Sequence, residues 1–187
     1  MPKLYFRYGA MASAKTINLL AVAHTYERQH KNVVVFKPAL ENRDGAQVIQ
    51  SRSQLKRDAD YLLEPDTVIS YDWYKDAQCV LIDEAQFLST SVIEQFRRIT
   101  DRVPVIAYGL RTDYKSFLFE GSKRLLELAD VIEEVKSVCH FCERKSIFNY
   151  KVGTTRSGCE NAESIEIGGD DMYQGLCYKC YQERFQF

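Results

Sequence analysis

The sequence predicts an α/β domain built on a mainly parallel sheet with helices on both faces, followed by a small, metal-stapled C-terminal segment. Three observations carry that expectation. Short valine- and leucine-rich runs alternate with helix-length stretches through residue 138, a Gly-to-Lys-Thr turn follows the first run, and four cysteines fall in two C-x-x-C pairs beyond residue 138. Strands that alternate with helices need crossover connections, and crossovers cover both faces of a parallel sheet.

The elements follow in order. Leu4–Tyr8 alternates like a strand, and residues 15–29 have helical length and composition. Residues 32–36 are valine-rich and read as a second strand, Cys79–Ile82 as a third and residues 103–108 as a fourth. Between the last two lies a helix near residues 92–98, with Ser91 and Glu94 spaced as a capping box. Residues 122–128 read as a further helix and 131–135 as the last strand. Residues 40–55 and 150–169 read as long irregular loops, and long loops are often functional. From Cys139 onward the chain is rich in Gly, Cys, Tyr and polar residues, which sets a boundary between residues 1–138 and 139–187. So short a segment buries too little apolar surface to stand alone, and a metal is a natural staple.

Composition narrows the function classes. The 187 residues hold one domain and an appendage, and 45% hydrophobic content supports a real core. With 25 basic and 26 acidic residues there is no broad basic surface, so no nucleic-acid partner is expected. Arg52, Lys56 and Arg57 form one local basic run, read as a solvated helix face. Met1-Pro2-Lys3 leads straight into a strand, and no apolar stretch approaches the roughly 20 residues of a membrane span. A cytoplasmic protein with no membrane partner is the expectation.

The first chemical signal is Gly9-Ala10-Met11-Ala12-Ser13-Ala14-Lys15-Thr16, between a strand and a helix. In that setting successive backbone N–H groups curl around phosphates and the helix N-terminus adds positive potential. Lys15 would reach the β- and γ-phosphates and the Thr16 hydroxyl would ligate Mg²⁺. The usual pattern has glycine where this chain has Ala14, whose methyl group crowds the phosphate approach or resists the local φ/ψ. The second signal is Val80-Leu81-Ile82-Asp83-Glu84, an apolar strand ending in two carboxylates. Asp83 would hold Mg²⁺ through water, and Glu84 would act as general base on an attacking hydroxyl. Together they sharpen the fold to a P-loop, RecA-like sheet that binds ATP.

The four cysteines are the third signal. Two C-x-x-C pairs, Cys139/Cys142 and Cys177/Cys180, supply four thiolates for tetrahedral Zn²⁺, and a site so filled is structural. A redox pair is the alternative, without the βαβ setting it needs. His140 could replace one thiolate, but four regularly paired cysteines leave it no vacancy, and Cys79, in an apolar run, reads as a small buried hydrophobe. Between the pairs lie Ser164, Ile165, Glu166, Ile167, Gly168 and Gly169, followed by Tyr173. Zinc at both ends would hold this excursion as a lasso whose backbone reads a planar polar ligand. A Gly-rich surface hairpin is the other reading.

In their order, these elements resemble the zinc-containing type II thymidine kinases. The resemblance rests on residues 9–16, Lys37-Pro38-Ala39 with Arg43, Asp83-Glu84-Ala85-Gln86-Phe87, Tyr108-Gly109-Leu110-Arg111-Thr112-Asp113-Tyr114, the four cysteines, and Ile167-Gly168-Gly169 with Tyr173. It implies transfer of the ATP γ-phosphoryl group to the 5′-hydroxyl of thymidine, with Glu84 as the base and Asp83 supporting Mg²⁺. It further implies that residues 9–16, Arg43, Ala85 and Gln86 lie at the nucleotide. Met11, Leu110, Phe87, Phe119 and Tyr114 would line the nucleoside pocket, with main-chain groups of Ser164, Ile165, Glu166, Ile167 and Gly168 on the base and Tyr173 completing the site. Feedback inhibition by thymidine triphosphate and a homotetramer are implied likewise. A small apolar pocket discriminates against a missing methyl by only about 1–3 kcal/mol, so deoxyuridine is an expected second substrate. Glu41 and Tyr114 depart from the usual aspartate and phenylalanine. Three other classes compete: a phosphotransferase for another nucleoside, an ATP-driven nucleic-acid motor, and a nucleoside-binding sensor that has lost turnover.

Overall fold

The computed structural model describes residues 1–41, 45, 47–51, 54–153 and 172–185. Its centre is a six-stranded sheet of order β5-β2-β6-β7-β1-β8, formed by β1 (Leu4–Tyr8), β2 (Val33–Pro38), β5 (Tyr61–Leu63), β6 (Cys79–Ile82), β7 (Val105–Gly109) and β8 (Val131–Glu134). Every pairing in it is parallel. The helices of this part are α1 (Lys15–Arg28), α2 (Thr90–Ile99) and α3 (Glu120–Leu128). Among the described residues no helix is long and apolar enough to cross a membrane.

Alternation along each strand assigns the two faces. Leu4, Phe6, Val34, Phe36, Val80, Ile82, Val105 and Ala107 pack with Val92, Ile93 and Phe96 of α2 and Leu125 of α3. Their neighbours Val33, Val35, Cys79, Leu81, Ile106 and Tyr108 pack with Leu19, Leu20 and Ala23 of α1. The inner strands β2, β6 and β7 are thus buried on both sides, which is why they read as continuous apolar runs. Cys79 is fully buried and its thiol is pushed up to about 11, first of all by that burial.

Several local expectations are corrected. Ser89, not Ser91, caps α2: its Oγ accepts from the Val92 N–H at 3.4 Å, while Glu94 pairs with Arg124 at 2.7 Å. The basic run is not a helix face, because Lys56 and Arg57 lie on β4 (Lys56–Asp58), paired with β3 (Val48–Gln50) in an antiparallel hairpin. Arg57 is bound by Glu27 and by Asp60, while Arg52 lies outside the described residues. Within the stretch expected to be an irregular loop, Val48–Gln50 thus forms a strand. Strand β5 takes its identity from pairing with β2 and from Tyr61, stacked 4.5 Å from Trp73 and 5.5 Å from Phe36.

Beyond β8 the chain forms an antiparallel pair, β9 (Phe148–Lys151) with β10 (Tyr173–Leu176), and then α4 (Tyr178–Phe185). The sequence shows no strong helical periodicity at α4. Its two turns are held by a separate apolar cluster of Tyr150, Leu176, Tyr181 and Phe185, which Tyr114 joins from the loop after β7.

Candidate active site and cysteine cluster

The phosphate-loop segment runs from the end of β1 into α1. Gly9 is required by close approach, since a Cβ there would lie 2.6 Å from the Val135 carbonyl oxygen and 2.2 Å from Ser13 Oγ. Ala12 and Ala14 both have φ of 63°, in the left-handed region that glycine adopts without strain. No side-chain hydrogen bond caps α1 and no acid occupies its first turn, so the positive end of the helix is not neutralised by its own residues, as suits an anion. Lys15 is buried within the turn, its Nζ donating to the Ala10 and Gly9 carbonyls at 2.9 and 3.3 Å and to Ser13 Oγ at 3.4 Å.

Asp83 faces this turn from the end of β6, with Glu84 beside it in the chain. The Thr16 hydroxyl lies 3.5 Å from both carboxylate oxygens of Asp83. Burial, and then the neighbouring charge of Glu84, pushes the Asp83 carboxyl up to about 7; Glu41 adds to the rise and Lys15 opposes it. A buried carboxylate crowded by two others is relieved by added positive charge, so the Thr16–Asp83 pair fits a divalent cation.

Glu84 stands in the left-handed region at φ 48°, a conformation that costs a non-glycine residue about 1–2 kcal/mol. Its carboxylate accepts a 2.6 Å hydrogen bond from Gln86 Nε2, while Gln86 Oε1 accepts the Leu110 N–H at 2.9 Å. Gln86 is buried, and a Cβ on Gly109 would fall 2.7 Å from its Oε1. The amide therefore joins the acid at the end of β6 to the chain leaving β7. Lys37 and Glu41 form a buried ion pair at 2.7 Å behind the acids, and Lys37 Nζ also donates to the Val48 carbonyl at 2.9 Å. Removing one partner of such a pair strands a buried charge.

The expected pocket aromatics meet in pairs. Phe87 and Phe119 pack edge to face at 5.7 Å, and Tyr114 and Tyr173 lie tilted at 6.3 Å. Tyr114 is 2% exposed, and its carbonyl accepts from the Tyr181 hydroxyl at 2.7 Å. Leu110, Ala10 and Ala85 are buried, and Met11 is half-buried in the phosphate turn. Arg43 and the proposed lasso residues Ser164, Ile165, Glu166, Ile167 and Gly168 lie outside the described residues.

The four cysteines converge from both sides of the β9–β10 hairpin. Cys139, Cys142, Cys177 and Cys180 place their sulfurs within 4.8 Å of one another, with Cys142 and Cys177 at 3.6 Å and Cys142 and Cys180 at 3.8 Å. A Zn–S bond of about 2.3 Å gives a tetrahedral edge of roughly 3.8 Å, so the donor set and its spacing fit a four-thiolate metal site. The cluster contains no His140, whose backbone N–H instead donates to the Gly175 carbonyl at 2.9 Å.

A thymidine kinase family profile matches residues 2–181 of this chain. The chain is 43% identical over 185 residues to a thymidine kinase of Lactiplantibacillus plantarum, spanning 97% of this chain and 96% of that one. It is 42% identical over 185 residues to one from Listeria monocytogenes, with 97% of each covered. The chain belongs to the thymidine kinase family. A Pif1 helicase structure from Candida albicans shares 13% identity at a TM-score of 0.44, over 73% of this chain and 36% of that one, too slight to bear on fold or function.

Within the thymidine kinase family reading, the structure explains what Ala14 costs. Its exposed methyl is strained by φ, not by neighbours. Ala14→Gly is therefore expected to relieve about 1 kcal/mol, raising Tm by roughly 2–4 °C and lowering KM for ATP. Thermal melting beside ATP titration checks this, and an unchanged or lower Tm would remove the strain argument. Sequence reasoning missed the Lys37–Glu41 pair as a unit and missed Asn149, which is 4% exposed and touches the phosphate turn. One signal for Asn149 was available, a lone amide among the aromatics of Phe148-Asn149-Tyr150.

Proposed function

We propose that this protein transfers the γ-phosphoryl group of ATP to the 5′-hydroxyl of thymidine, yielding ADP and thymidine monophosphate. The observation that carries the reading is the placement of Glu84. Gln86 holds its carboxylate, and the preceding residue, Asp83, faces Thr16 of the phosphate turn. Glu84 takes the proton of the 5′-hydroxyl as that oxygen bonds to the γ-phosphorus and the bond to ADP breaks. Residues 9–16 hold the phosphates, with Arg43, Ala85 and Gln86 beside them. Thr16 and Asp83 would hold Mg²⁺, which would supply charge stabilisation at the phosphates. Met11, Leu110, Phe87, Phe119 and Tyr114 wall the nucleoside, and residues 164–168 with Tyr173 close on its base.

Zn²⁺ is the metal we assign to the four cysteines, in a structural role, and residues 139–187 form the unit it holds. A cytoplasmic location, a homotetramer and inhibition by thymidine triphosphate belong to the same reading, with deoxyuridine as second substrate. The test is a radiolabelled thymidine assay with Mg-ATP. Labelled thymidine monophosphate is the expected product. Tight binding of thymidine with no product would favour a sensor, and phosphorylation of another nucleoside in preference would move the substrate.

A further inference from the structure

Asn149 sits on β9 with both ends of its side-chain amide engaged across two other segments. Its Oδ1 accepts the Met11 N–H at 2.8 Å, and its Nδ2 donates to the Thr112 carbonyl at 2.8 Å. Met11 belongs to the phosphate turn, and Thr112 lies between Leu110 and Tyr114, two residues assigned above to the nucleoside pocket. The paired strand leaves no slack: Gly175, opposite Asn149 in the register, passes so close that a Cβ on it would lie 2.9 Å from the Met11 carbonyl oxygen. The hairpin is in turn fixed to the cysteine cluster, for Cys177 directly follows β10 and the His140 N–H binds Gly175. One buried amide is thus the cross-brace between the turn that presents the donor phosphates and the segment that presents the acceptor.

We infer that Asn149 is a positioning residue that sets the separation of donor and acceptor, and through it occupancy of either site changes the affinity of the other. This rests on the thymidine kinase reading. The physical reason is that the buried Asn149 amide and the buried Thr112 carbonyl need partners, and Asn149 also holds the half-buried Met11 N–H, so neither segment shifts without straining the amide that joins them. Ligand at one segment fixes the brace, and the second ligand then meets a pocket already set. Turnover depends on the same spacing, since misplacement by about 1 Å costs on the order of 100-fold in rate.

The test is calorimetry of thymidine binding with and without a non-hydrolysable ATP analogue and Mg²⁺, on the full chain with its metal. In wild type the analogue is expected to tighten thymidine binding by at least about fivefold. Asn149→Leu keeps the branched outline of the side chain with somewhat more bulk and removes both hydrogen bonds, so the ratio should fall to near one while each ligand alone still binds. Asn149→Asp keeps the acceptor for Met11 but sets a carboxylate oxygen against the Thr112 carbonyl, and should give the same loss should the leucine variant not fold. A merely structural role would lower Tm and leave the ratio intact, which overturns the inference, as would a wild-type ratio of one. Wild-type protein that binds neither ligand would overturn the kinase reading as well.

Discussion

Glu84→Gln is expected to lower kcat by about 10²–10⁴-fold while leaving the affinities for thymidine and ATP within a few-fold of wild type. Glutamine has almost the shape of glutamate, and its amide oxygen still accepts the hydrogen bond from Gln86 Nε2. The left-handed backbone at this position burdens both residues alike. What is lost is the capacity to receive a proton from the 5′-hydroxyl. Steady-state kinetics beside calorimetry separate chemistry from binding, and normal turnover in the variant would remove Glu84 as the base. The strained backbone has a use in this account, for it directs the carboxylate out of the end of β6 to where Gln86 reaches it.

Removing the metal from the four cysteines is expected to melt β9, β10 and α4 while the central sheet persists. The apolar cluster of the C-terminal segment is small, and its two-turn helix starts between ligands, so metal affinity is largely folding free energy here. Hydrogen exchange after chelation should show protection lost at Asn149, Gly175 and Tyr181 and kept in β1, β6 and β7. Phosphorylation should fail together with that protection, because Met11 and Thr112 then lose their brace. Retained protection and an unchanged melting profile in protein shown to be metal-free would rule out a structural role. Cys177→Ser, which removes one thiolate, should reproduce the chelated state.

These outcomes bear on how much of the molecule could be read before folding. Strands β2, β6 and β7 announced themselves because a strand covered on both faces is apolar along its whole length, while β1 showed by its alternation and β8 by its short Val-Ile run. Residues 9–16, Asp83-Glu84 and the paired cysteines were equally plain, since their chemistry demands particular residue types at fixed spacing. Strand β5 was hidden, for three residues have no period of their own and Tyr61 is a strand residue only beside Phe36. The cap of α2 lies two residues before Ser91 because Ser91 and Glu94 have capping-box spacing, whereas Ser89, extended at φ −71°, caps the helix with no acid at the third position.

What the sequence determined by itself was therefore the inventory: a parallel sheet, a phosphate turn, two acids and four thiols. Only the tertiary structure decided how these are joined. The Gln86 bridge from acid to β7 and the Asn149 brace depend on contacts between residues far apart in the chain, and the left-handed backbone at Ala14 and Glu84 and the burial of the Lys37–Glu41 pair appear only once the chain is folded. Hydrogen bonds and ion pairs of that kind leave no local period, because each is set by where two segments meet in space.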